Sequence, residues 1–181
     1  MHNQSKDFQD TAQWKCQFRL EKREGDINAC DTPQDRLQWL ESTIPYEIIE
    51  GEGNLLLNSG IDEIWGLITG IQSGTNRLFS NANAQIGVGD STTAAAATQT
   101  DLLGTNKAYK EQEATFPTVG TQKVTFKSSF GDAEANFAWN EWVVKSVDGT
   151  TPTNICLNRK VESLGTKSGG TWTLEVSITL S

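Results

Sequence analysis

QKVTFKSSFGDAEANFAWNEWVVKSV, residues Gln122–Val147, decides the fold class, because two strand-like runs flank a Gly131-Asp132 turn. In the first run Val124, Phe126 and Phe130 alternate with Lys123, Thr125, Lys127 and Ser129, the period of two expected of a half-buried antiparallel strand. The second run sets Phe137, Trp139 and Val143 against Ala138, Trp142 and Val144, with Asn136, Asn140 and Glu141 interleaved. It is too apolar for a surface strand and is expected inside a sheet. Buried indole N–H and carboxylate groups require hydrogen-bond partners, so Trp139, Glu141 and Trp142 read as a pinned structural cluster.

The strand reading spreads outward from this pair. At the end of the chain Trp172, Leu174, Val176, Ile178 and Leu180 alternate without a break with Thr171, Thr173, Glu175, Ser177 and Thr179. ICLNRKVESLG reads as a strand, TKSGG and SVDGTTPTN as turns, and Ala84–Val88 as a short strand entering Gly89-Asp90-Ser91. Several strands joined by short turns, with one helix, predict a mainly β chain: an antiparallel β-sandwich or jelly-roll. Residues 92–100 read as a polar connection that ends where Leu102 and Leu103 return to the core, and residues 105–121 as a linking stretch.

The one amphipathic helix is expected over about 54–71. Leu57, Ile61, Ile64, Trp65 and Ile68 recur at helical spacing, Asn54 is the expected N-cap and Gly70 or Gly74 the stop. Gly60 and Gly66 weaken such a helix unless something packs closely on them. The apolar stripe is expected to cover the sheet, since the polar face carries Asp62 and Glu63 where a membrane-surface helix would carry Lys or Arg.

The division expected is an N-terminal arm, residues 1–50, and a sandwich domain, residues 51–181. The arm holds ten of the 23 acidic and six of the 15 basic residues. Its apolar residues are scattered, with one short strand over Trp14–Leu20 and a helical turn capped by Thr32-Pro33. Two readings stay open: an arm docking on a neighbouring subunit through Trp14, Phe18, Trp39 and Leu40, or a strand completing the domain's own sheet.

At 181 residues the chain accommodates one domain with a full core. A formal charge of −8 argues against direct nucleic-acid binding. No apolar run is long enough to span a membrane, and the start MHNQSKDFQDTAQ lacks a basic stretch followed by an apolar one, so a soluble chain made in the cytoplasm is expected. Cys16, Cys30 and Cys156 form no CxxC pair; free thiols are expected, with a Cys16–Cys30 bridge as the alternative.

No catalytic, cofactor or metal site is expected. The one histidine, His2, sits at the terminus, so Cys156 is not expected to have a histidine to activate it. The Gly87-x-Gly89 pair lacks the third glycine and the lysine of a phosphate loop, and Ser91 is not in a G-x-S-x-G elbow. Asp132, Glu134 and Glu141 are the nearest approach to a glycosidase acid pair, but Glu141 is better read as paired with Arg159 or a backbone N–H. The Asp-x-Asp-x-Asp run of a calcium loop is absent from the sequence.

GEGNLLLNSGI, AQIGVGDSTT, QTDLLG, FPTVGTQKVTFKSSFGDAEANFAWNEW, LNRKVESLGTKSGGTW and TLEVSITLS, in that order over residues 51–181, resemble a recurrent family of tailed-bacteriophage virion proteins. The resemblance implies a small, non-enzymatic β-sandwich present in many copies on a virion. A head-decoration or cement protein on the capsid surface is the leading expectation. Its partners would be the major capsid protein and copies of itself, with a trimer expected, and it would be made in the bacterial host cytoplasm. A tail, fibre or baseplate adaptor is the alternative, and a glycan-binding module a more distant one.

Overall fold

The computed structural model describes residues 13–71, 78–147 and 155–181; His2 and the expected Asp148-Gly149 turn lie outside them. In chain order the described elements are β1 (Trp14–Arg23), a 3-10 turn (Ile27–Ala29), α1 (Pro33–Ser42), β2 (Glu47–Glu52), β3 (Leu55–Leu56), α2 (Asn58–Thr69), β4 (Ala84–Gly89), β5 (Lys107–Glu111), β6 (Thr118–Gly120), β7 (Lys123–Phe130), β8 (Ala138–Ser146), β9 (Ile155–Thr166) and β10 (Thr171–Leu180). The strands form two antiparallel five-stranded sheets, β2-β1-β10-β7-β6 and β3-β9-β8-β4-β5, packed as a β-sandwich.

The alternating residues of β1, β7 and β10 make one wall of the core. Phe18 pairs with Val176, and Val176 with Phe126; Leu20, Leu174, Phe130, Trp172 and Ile178 lie on the same face, all buried. From the other sheet come Ile86, Val88, Trp139, Trp142, Val144 and Leu164. Aromatic rings lock the two walls: Trp139 stands edge to face at 4.9 Å from both Phe130 and Trp172, and Phe18 lies tilted at 5.7 Å from Trp142. Trp139 and Trp142, expected on opposite faces, both point inward because the β8–β9 pairing is irregular between Trp139 and Glu141, which breaks the alternation. Trp139 Nε1 donates to the Ala135 carbonyl at 2.9 Å, as its burial demands. The Trp142 indole N–H has no acceptor among the described residues.

The outward face of the first sheet is polar and ordered by cross-strand pairs. Glu50, Arg19, Glu175 and Lys127 stand in register across β2, β1, β10 and β7, so opposite charges alternate along the row. Hydroxyl pairs flank it, Thr125 with Ser177 at 2.9 Å and Ser129 with Thr173 at 3.0 Å. A strand slipped by one residue would place these groups in the core, which makes the register specific.

Of the two readings open for the N-terminal stretch, the structure shows the strand that completes the domain's own sheet. Residues 14–52 contribute β1, which lies between β10 and β2, so this part of the chain completes the sandwich itself. The capped helical turn forms as α1, with Thr32 Oγ1 accepting from Asp35 N. Arg23 ties α1 down by donating to the carbonyls of Leu40 and Thr43, and Arg36 grips Glu113 with two hydrogen bonds. β5 and β6 form where a linker was expected, and Leu103, expected in the core, is 46% exposed beside buried Leu102.

α2 starts later than expected. Leu57 is its N-cap, and Asn54 instead accepts a hydrogen bond from the Trp14 indole; Gly70, with a φ of 66°, ends it as foreseen. Its contact face combines Gly60 with part of the apolar stripe, Leu57 and Ile64 packing on the core, while the rest of the stripe turns outward. Gly60 and Gly66 are buried, whereas Trp65 and Ile68 are 60% and 68% exposed. The approach to β9 is so close that a Cβ at position 60 would lie 2.5 Å from the Leu157 carbonyl oxygen.

Two outcomes follow for stability. Removing residues 1–50 takes away β1 and most of β2, and circular dichroism of the remaining 51–181 chain should show no cooperative melting; a folded fragment would detach this stretch from the core. Gly60→Ala should lower the melting temperature, because the clash with Leu157 outweighs the roughly 1 kcal/mol that alanine gains in a helix, and a rise would show that α2 does not rest on β9.

Candidate functional site

The outer face of the second sheet carries its most demanding polar group. Glu141 on β8 and Arg159 on β9 are fully buried and joined by a hydrogen bond from Arg159 Nε at 2.8 Å and an ion-pair contact from Nη2 at 2.6 Å. The remaining lone pairs of Glu141 accept from Leu103 N and from Gly104 N at 2.6 Å. The remaining guanidinium protons go to Gln99 Oε1 and the Thr93 carbonyl. The pair thus binds the 90–106 connection over the sheet. All its hydrogen-bonding capacity serves the fold, as its sequence pairing foretold.

Beside it lies a second polar group that sequence reading did not single out. Lys145 on β8 is buried, sits 3.5 Å from the centroid of the Tyr109 ring, and stands 4.0 Å from Asp101. Tyr109 donates its hydroxyl to Asp101 at 2.6 Å, and Cys156 contacts the Thr100 carbonyl. Burial pushes the Cys156 thiol up to about 12 and draws the Lys145 ammonium down, so the cysteine stays a protonated thiol. The alternation of Glu141, Val143 and Lys145 on one face of β8 was the available signal; the partner residues lie 36 to 44 positions away.

At one end of the sandwich the other candidate carboxylates are equally engaged. Asp132 accepts from Gly170 N, Asp26 from Asn28 N and Asp132 N, and Glu134 from Gly131 N and Lys110. Lys167, almost fully buried, donates to the carbonyls of Gly131 and Asp132 and to Asn136 Oδ1. Burial raises the Glu134 carboxyl, but the bonds from Lys110 and Gly131 outweigh it and hold the group below the usual carboxylate range. Among the described residues no group of three His, Cys, Asp or Glu side chains is arranged to hold a metal ion.

The four residues read as partner contacts separate in the structure. Phe18 is in the main core against Trp142, and Leu40 is buried under α1, so both serve the chain's own packing. Trp39 is half-buried with its ring 3.5 Å from where a Cβ would lie on Gly25. Trp14 is half-buried at the end of β1 and borders a surface groove with Asn54. Two residues of the stripe that sequence reading assigned to the core, Trp65 and Ile68 on α2, are instead exposed, together with Leu67 at its side and Ile71 just beyond its end at 81% exposure.

Searches of protein-family models, curated proteins and solved structures found no match to the chain.

Glu141→Leu should destabilise the protein by about 3–5 kcal/mol in chemical denaturation, because it strands a buried guanidinium; a loss below about 1 kcal/mol would show that the pair does not hold the 90–106 connection. The Glu134 effect has a definite sign. A lowered folded pKa gives stability that is complete above about pH 4.3, the ordinary glutamate value, and is lost as pH falls through the folded value. Glu134→Gln should therefore flatten the acid side of the stability profile, and an unchanged profile would remove the Lys110 contact from the account.

Proposed function

We propose that this chain is a non-enzymatic structural protein of a tailed-bacteriophage virion, a capsid decoration (cement) protein that binds the assembled head shell and stabilises it. The ordered phrases over residues 51–181 that resemble phage virion proteins support the virion setting. The β-sandwich suits it, since its titratable clusters are bound into the fold. The observation that carries a binding role is the outward side of α2. A helix seated by Gly60, Leu57 and Ile64 presents Trp65 and Ile68 to solvent, with Ile71 just beyond its end, and exposed apolar surface of that kind marks protein contacts.

In this reading the major capsid protein covers α2, and copies of the chain, as trimers, occupy the points where capsid subunits meet. Binding to the assembled shell and not to its separated subunits stabilises the shell by mass action. Many copies turn modest individual contacts into a tight lattice. The anchors are the residues of α2 rather than the buried Phe18 and Leu40.

Copy number and position on intact virions provide the test. Quantitative mass spectrometry with immunogold labelling should find hundreds of copies over the head; about a dozen confined to the tail would replace this reading with a tail adaptor. On purified shells Trp65→Ala should weaken binding about 30-fold, the effect of losing roughly 2 kcal/mol of apolar burial, while the melting temperature holds. Undiminished binding would remove α2 from the interface.

A further inference from the structure

Each sheet ends in two edge strands, and among the described residues β2, with six residues, is the longest of them. Its open side follows from its ladder with β1. One step beyond the Gln17–Glu52 pair, Gly53 N donates to the Cys16 carbonyl at 2.8 Å, and in an antiparallel ladder such hydrogen-bonded pairs recur at every second position. Gly51, Ile49 and Glu47 therefore turn their N–H and C=O groups to Phe18, Leu20 and Lys22. Those of Ile48, Glu50 and Glu52 point away from β1. Lys160 Nζ donates to the Glu52 carbonyl at 2.8 Å and closes that position. The open edge is thus Ile48 and Glu50.

A free edge invites another strand, and charged side chains ordinarily guard it. On β2 much of that guard is neutralised within the chain: Glu47 is paired with Lys22 at 2.9 Å, and Glu50 with Arg19. What the edge offers besides is apolar. Ile48 is exposed, and Tyr46 and Ile44, at the alternate positions before it, are more so. Tyr46 N donates to the Lys22 carbonyl at 2.8 Å, which keeps this lead-in beside β1.

We propose that β2 pairs antiparallel with β2 of a second copy of this chain, about a two-fold axis at Ile48. Ile48 exchanges both open backbone bonds with Ile48 of the second copy, and the two side chains meet on the outward face. The charges fit this register. Glu50 falls opposite Tyr46, Glu52 opposite Ile44 and Glu47 opposite Ile49 of the second copy, so no glutamate directly faces another, the arrangement that would oppose pairing. One strip supplies both halves of the contact, as two-fold symmetry requires. The first sheets of the two copies join edge to edge, and α2 takes no part. On a shell this contact would link one trimer to the next.

Sedimentation velocity of the full chain between about 1 and 500 µM should show a monomer–dimer equilibrium with a Kd inside that range. Hydrogen exchange at the concentrated end should slow the Ile48 amide while the amides of β6 exchange as in the monomer. Ile48→Glu sets two carboxylates on the axis, and Ile48→Pro removes an N–H that only the second copy uses. Each should raise the Kd at least tenfold and leave the melting temperature at the dilute end in place; should the proline disturb β2, the glutamate variant decides. Trp65→Glu should leave the dimer intact, which separates it from association through α2. A chain that stays monomeric throughout, leaving the edge to solvent or to another protein's strand, overturns the proposal. So does association that the Ile48 variants leave intact or that Trp65→Glu abolishes.

Discussion

The buried pair of Glu141 and Arg159 is the constraint around which the second sheet is arranged. Two charges removed from water require complete compensation, and they receive it from each other, from Leu103 N, Gly104 N, Gln99 and Thr93. Those partners come from one connection, residues 90–106, which must lie over β8 and β9 for the pair to be satisfied. Leu102 is then carried into a small apolar cluster with Leu57, Val143 and Cys156. Without the pair, a polar connection with little apolar surface would have weak cause to cover the sheet.

The same arrangement explains the most suggestive spelling in the sequence. Gly87 and Gly89 resemble part of a phosphate loop, yet both lie in β4, where they leave room for side chains of neighbouring strands. A Cβ at position 87 would fall 2.6 Å from the Tyr109 ring, and one at position 89 would fall 2.5 Å from Glu141 Oε1. The glycines admit the tyrosine and the buried carboxylate. Glycine in a strand marks close approach as readily as it marks a turn.

Strands with uninterrupted alternation, β10 and β7 above all, were legible because a period of two has one physical cause. The pairing of Glu141 with Arg159 was legible because a buried carboxylate needs a cation. The orientation of Trp142 relative to Trp139 was not, since an irregularity in the pairing resets the alternation and leaves no mark in composition. β2 was missed because EIIEGE is an edge strand whose charge conceals its pattern. α2 misled only in part: Leu57 and Ile64 of its apolar stripe pack on the core, while Trp65 and Ile68 of the same stripe face outward. Of the four residues chosen as contacts, Phe18 and Leu40 were apolar because the core requires them. Trp14 borders a groove because β2 ends beside it, a fact of three-dimensional register.

α2 meets β9 through Gly60, whose Cα hydrogens leave nothing between helix and strand backbone. The depth of the helix is therefore limited by main-chain atoms, with Leu57 and Ile64 packed on the core beside them, while the residues on its far side carry no part of that fit. Trp65, Ile68 and Ile71 can change in size or polarity without disturbing the seat of the helix. Selection on the outward surface is thereby insulated from selection on folding, and a scaffold of this kind can acquire new contacts with little loss of stability.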